Sequence, residues 1–133
     1  MFNINEFVKT YDAYIVTWHY TGSAYICEPP VQDTDTDYLI LCKPDARLKL
    51  VEELISKGYL LNSYQSEGQF VNMKLTEQRI DLILIEDENY YNSFVYATEV
   101  AKFLNVEQKD ARVSLFGLIR SLWMSNPQLQ ITH

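Results

Sequence analysis

The chain has 133 residues, 47% of them hydrophobic, which is enough for one core and predicts a single domain over 1–133. Its 18 Asp and Glu against 11 Lys and Arg leave a net charge of −7, which argues against extended DNA binding or any long contact with a polyanion. There is no run of about 18 apolar residues and no charged-then-apolar leader at Met1-Phe2-Asn3-Ile4, so the sequence predicts a cytosolic protein without a membrane partner. Cys27 and Cys42 lie in apolar neighbourhoods and read as reduced core thiols.

In chain order, residues 5–11 read as a short helix and 14–18, rich in branched and aromatic residues, as a strand running into a Gly-Ser turn. A helix starts at Ser23, Pro29-Pro30 stop it, and a polar loop over 32–36 leads into a second strand over 38–42. Leu48, Val51, Leu54 and Ile55 recur at helical spacing, and Gly58 ends that helix. The runs 70–75 and 80–85 read as a strand hairpin joined by 76–79. After Asp87 the period turns helical: Phe94, Ala97, Val100, Ala101 and Leu104 mark one helix, and Val113, Phe116, Leu118, Ile119 and Trp123 another. The segment 127–133 reads as a frayed tail.

Chemistry concentrates at three places. Residues two apart on a strand share a face, so Asp35 and Asp37, at the mouth of the second strand, aim both carboxylates one way. Asp81 stands alone among aliphatic residues in Ile80-Asp81-Leu82-Ile83-Leu84-Ile85, a costly position unless a cation or hydrogen bonds compensate it. Carboxylates without His or Cys suit Mg²⁺ better than zinc. Gly22 lets the backbone approach a phosphate, and Ser23 at a helix start offers a hydroxyl and N–H groups to it. Each element also has an ordinary reading. Asp-Thr-Asp-Thr-Asp occurs in solvated turns, Asp81 is within reach of pairing with Lys74 or Arg79, and His19 beside aromatics reads as a packed or hydrogen-bonded core residue rather than a nucleotide contact. The ten tyrosines supply buried area with a polar tip. Lys109 and Arg112, three apart on a helix, share a face that is either a solvated helix start or an anion contact.

At these residues the chain resembles the nucleotidyltransferase superfamily that includes DNA polymerase beta. The pattern is Thr21-Gly22-Ser23, then Asp35-Thr36-Asp37 opening a strand, then Ile80-Asp81-Leu82 on a later one. Thr21-Gly22-Ser23-Ala24, Cys27-Glu28-Pro29-Pro30-Val31, Asp33-Thr34-Asp35, Ala97-Thr98-Glu99-Val100-Ala101-Lys102 and Lys109-x-x-Arg112-Val113-x-Leu115-Phe116 are similar to small free-standing nucleotidyltransferase-like proteins of bacteriophage genomes. The resemblance spans about residues 14–120. It departs from the superfamily at Thr36, where an aliphatic residue is usual, which keeps Asp33-x-Asp35 open as an alternative pair. Asp35 and Asp37 are preferred because the strand begins directly after Asp37.

The resemblance implies a polymerase-beta-like α/β fold, a small mixed sheet flanked by helices. It also implies Mg²⁺ or Mn²⁺ held by Asp35, Asp37 and Asp81, and a nucleoside triphosphate held by Gly22, Ser23, Lys109 and Arg112. The reaction would move a nucleoside monophosphate, AMP from ATP by default, onto an acceptor hydroxyl with release of pyrophosphate. Asp81 is the candidate for handling the nucleophile. Acceptors in the superfamily include RNA ends, small molecules and protein hydroxyls, here host or defence targets if the phage likeness holds. The acidic composition leans toward a protein or small acceptor. The alternative is an inactive member that binds a nucleotide or, antitoxin-like, a partner protein.

Overall fold

The computed structural model describes residues 1–28, 35–65 and 69–125. Pro29-Pro30, Asp33, most of the loop over 32–36 and the tail over 127–133 therefore lie outside the described residues. The elements are α1 (Ile4–Thr10), β1 (Ile15–Thr21), α2 (Ser23–Ile26), β2 (Thr36–Cys42), α3 (Arg47–Ser56), β3 (Leu60–Gln65), β4 (Phe70–Leu75), β5 (Ile80–Ile85), α4 (Glu88–Phe103) and α5 (Lys109–Ser125).

Five strands form one sheet in the order β1-β2-β5-β4-β3. β2 and β5 are parallel, and every other pairing is antiparallel. This places β2 and β5 at the centre, covered on both faces, which is why each reads as a nearly unbroken apolar run rather than an alternating one. Ile40, Leu82, Leu84 and Met73 face α1 and α3, packing on Phe7, Leu50 and Leu54. Leu39, Leu41 and Ile85 face the opposite way onto Tyr90 and Tyr91 of α4. Beyond α2, Ile26 and Cys27 pack on Ala101 with Leu115 and Phe116 of α5. The mixed α/β sheet flanked by helices is the architecture expected from the sequence. Cys27 and Cys42 are buried free thiols, as expected, and burial pushes Cys42 up to about 12.

Local chemistry sets several element ends. Asn3 caps α1 by accepting from the Glu6 N–H at 3.1 Å, and Asp87 caps α4 by accepting from the Tyr90 N–H at 3.1 Å. The β4–β5 hairpin turns through a short 3-10 segment at Thr76–Gln78 and a left-handed Arg79, whose carbonyl accepts from the Thr36 N–H at 2.9 Å. That bond joins the start of β5 to the start of β2. No helix among the described residues is long and apolar enough to cross a membrane.

Several readings of the sequence need correction. The strand before the Gly-Ser turn runs on to Thr21, the second strand opens at Thr36 so that Asp37 lies within it rather than before it, and β3, absent from the sequence expectation, completes the edge. In α3 the inward stripe is Leu50, Val51 and Leu54, whereas Leu48 and Ile55 are exposed. Leu50 and Leu54 lie four apart and so stack on one face, while Leu48 falls outside that arc. Likewise Leu104, Val113 and Leu118 are exposed, and Ile119 and Trp123 carry the buried face of α5. A pair of substitutions tests the α3 stripe. Leu50→Ala is expected to cost about 2–5 kcal/mol by urea unfolding, and Leu48→Ala less than about 0.5 kcal/mol; the reverse order would contradict this packing.

Candidate functional site

The register of the central strands assembles the site. Thr21 of β1 pairs with Asp37 of β2, Asp37 with Asp81 of β5, and Asp81 with Lys74 of β4. Partners at one register level point to the same face, so one polar row crosses the sheet at its edge, on the side covered by α2, α4 and α5. The rows behind it are apolar at their centre, through Leu39 with Ile83 and Leu41 with Ile85.

Gly22 stands at this edge with φ 78°, a left-handed value that glycine adopts without strain. A Cβ there would overlap the Asp37 carboxylate, so glycine is required for space as well as for conformation. Its carbonyl accepts from the N–H groups of Tyr25 at 3.1 Å and Ile26 at 3.0 Å, folding α2 back from the turn. Ser23 is the first residue of α2.

α4 clamps this turn in place. Thr21 Oγ1 and Thr98 Oγ1 are 2.8 Å apart in a buried contact, and the Thr98 hydroxyl also donates to the Phe94 carbonyl at 2.8 Å. Tyr25 donates its hydroxyl to Glu99 Oε1 at 2.7 Å, Lys102 Nζ donates to the Tyr25 carbonyl at 2.8 Å, and the Asn105 side chain bonds both backbone groups of Glu28. The Glu99 bond pushes the Tyr25 phenol up to about 12. His19 Nε2 meets Glu99 at 3.1 Å, so that histidine is hydrogen-bonded on the surface rather than packed in the core.

A cleft of about 360 Å³ lies against this edge, within the range of small-molecule sites. Gly22, Ser23, Asp37, Lys109 and Arg112 all line it, with Phe94 and Phe116 at its apolar side. Five of the seven residues proposed from sequence thus share one wall, whereas Asp35 and Asp81 lie beside it. The two cations differ. Arg112 donates to the carbonyls of Val106 at 3.0 Å and Glu107 at 2.7 Å, holding the α4–α5 connection, while Lys109 makes no hydrogen bond or ion pair with a described residue.

Lys74 is the site residue that the sequence reading treated only as an ordinary partner for Asp81. Its Nζ lies 2.9 Å from Asp35 Oδ2 and 3.5 Å from Asp81 Oδ2. The Asn72 amide donates to Asp81 Oδ1 at 3.4 Å and to the Leu82 carbonyl at 3.3 Å. Lys74 holds the Asp35 carboxyl below its ordinary range, and Asp35 in turn raises Lys74. Asp37 behaves oppositely: burial, then its hydrogen bond to Asp81 and the Asp81 and Asp35 charges, push it up to about 8. Lys74 stands between Asp35 and Asp81, and among the described residues no three His, Cys, Asp or Glu side chains are placed so that they could hold a metal ion by themselves. The donors are carboxylate oxygens without His or Cys, the kind that suit a hard cation sharing one or two carboxylates with a substrate's phosphates rather than a closed protein cage.

The Asp37 shift has a definite sign. The folded chain keeps a proton that the unfolded chain releases above its ordinary value of 3.8, so this stabilisation is complete in acid and is lost as pH rises through about 8. With a chelator present, the unfolding free energy from urea titrations is expected to fall between pH 5 and pH 8, by up to about 1.4 kcal/mol per pH unit. Asp37→Asn is expected to flatten that fall; an unchanged slope in the variant would remove Asp37 as its source.

No protein-family model matches the chain, and no curated protein matches it significantly. The structure is similar to the crystal structure of the conserved protein GrpB from Enterococcus faecalis, with TM-score 0.53 and 9% identity, covering 94% of this chain and 90% of that one. At this identity the likeness speaks to architecture alone, a five-stranded mixed sheet flanked by helices.

Proposed function

We propose that the chain is a Mg²⁺- or Mn²⁺-dependent nucleotidyltransferase that moves a nucleoside monophosphate, AMP from ATP by default, onto the hydroxyl of a protein, a small molecule or an RNA end. The observation that carries this reading is the contact of the Gly22 backbone with the Asp37 carboxylate, at a helix start, in a cleft shared with Ser23, Lys109 and Arg112. A turn that admits a phosphate and a carboxylate that would hold its cation serve one ligand only when they lie together, and the closeness of Gly22 to Asp37 supports that reading.

Asp37, with Asp35 and Asp81, would hold the cation. When bound, that cation supplies positive charge to the triphosphate and lowers the pKa of the acceptor hydroxyl. Ser23 and the Gly22 backbone would orient the phosphates, and Lys109, which has no described partner, would meet their outer oxygens. The acceptor oxygen forms a bond to the alpha phosphorus, the bond from that phosphorus to its bridging oxygen breaks, and pyrophosphate leaves. The acceptor proton passes toward Asp81. Phe94 and Phe116 keep one side of the cleft dry, which strengthens these charge interactions.

A second reading has its own support. The Lys74 ion pairs already compensate Asp35 and Asp81 in the manner of a structural cluster, which fits a protein that binds a nucleotide or a partner without turnover. Incubation with labelled ATP, Mg²⁺ and cell lysate, followed by separation of protein and RNA, distinguishes the two. Label in a discrete band supports transfer and identifies the acceptor class; no label anywhere favours the binding reading.

Three substitutions test these roles. Asp81→Asn is expected to abolish transfer in that assay while leaving ATP-Mg²⁺ affinity within about threefold; full transfer would remove Asp81 from the mechanism. Lys109→Ala is expected to weaken ATP by about tenfold without loss of stability. Arg112→Ala should instead lower stability by about 1–3 kcal/mol through the orphaned carbonyls, as measured by unfolding alongside calorimetry.

A further inference from the structure

We infer that Lys74 is a resident counter-ion held in the place of a divalent cation, and that cation binding requires its ammonium to leave Asp35 and Asp81. This rests on the cation-dependent reading above and adds a regulated entry step to it. Lys74 is paired in register with Asp81, so the strand backbone delivers its side chain to the carboxylate row. Its Nζ bridges Asp35 at 2.9 Å and Asp81 at 3.5 Å, and among the described residues no other cation lies within ion-pair distance of both. The side chain is 33% exposed, which leaves its flexible stem an outward path. Asp81 is only 15% exposed on the same measure, so its oxygens receive the lysine or a metal ion far more readily than free solvent.

An ammonium and a metal ion do not share one set of oxygens at hydrogen-bond and coordination distances. A bare divalent ion must therefore displace two ion pairs before it is fully coordinated, which weakens its binding when no nucleotide is present. A triphosphate brings additional oxygen ligands for the ion and a new anionic partner for the released ammonium. Cation and nucleotide then bind cooperatively, each raising the affinity of the other by the same factor.

The test is calorimetric titration of Mn²⁺, without nucleotide, into the wild-type chain, Lys74→Met and Lys74→Arg. Lys74→Met is expected to bind Mn²⁺ about tenfold more tightly than wild type, to be less stable without metal, and to regain stability when Mn²⁺ is added. Lys74→Arg, which keeps the charge, should stay near wild type. Equal or weaker Mn²⁺ binding by Lys74→Met, or no Mn²⁺ binding by any of the three, overturns the inference. If Lys74→Met folds only with Mn²⁺ supplied, the inference stands; if it folds under neither condition, Lys74 is a permanent structural partner and the inference fails. The labelled-ATP assay on the wild-type chain separates the two ideas. Transfer with unchanged Mn²⁺ affinity sinks only the counter-ion role, and tighter Mn²⁺ binding without transfer sinks only the transferase reading.

Discussion

Asp37 and Asp81 face each other across adjacent parallel strands in the middle of the sheet, and the surrounding structure is arranged around that pairing. Neighbouring strands run about 4.8 Å apart, and two unit charges at that spacing repel by about 3 kcal/mol at an effective dielectric of 20. That is a large fraction of the stability of a small domain. The chain offsets it in separate ways. Lys74 neutralises Asp81 and Asp35, Asn72 donates to Asp81, and Asp37 retains a proton well above the usual carboxylate range.

The Gly-Ser side of the cleft is built with equal specificity but by different forces. α2 has only four residues and cannot hold its own position by helix propensity. Thr98, Glu99, Lys102 and the Asn105 beyond them contact the Gly-Ser segment from α4, and Ile26 and Cys27 bury against Ala101. A long, well-packed helix thereby lends its rigidity to a short turn, which is the usual requirement for precise ligand contacts made by loops. Arg112 fits the same logic, since its carbonyl contacts fix the start of α5 against this framework and leave Lys109 exposed at the cleft.

Architecture and chemistry rest on different kinds of support here. The likeness to the GrpB crystal structure concerns the path of the backbone, and a backbone path is compatible with many activities. The case for phosphoryl chemistry comes from particular side chains: an aspartate in an otherwise aliphatic central strand, a glycine with no room for a Cβ, and cations lining the same cleft.

The sequence by itself determined what depends on short range. Apolar runs marked β2 and β5 as strands, Asp87 marked a helix start, and the Gly-Ser pair marked a turn between β1 and α2. These are legible because strand period, capping and turn geometry act within a few residues. Tertiary structure alone decided which carboxylates became neighbours, that Lys74 rather than Arg79 would bridge them, that Asp35 would stand off the cleft wall while Asp37 lined it, and which face of α3 turned inward. It also decided that Thr98, Glu99 and Lys102, polar residues that any surface helix carries, would become a clamp. Cross-strand register and the choice among competing ion-pair partners are settled by long-range packing and by the burial each charge ends up with. No local window of sequence contains either quantity.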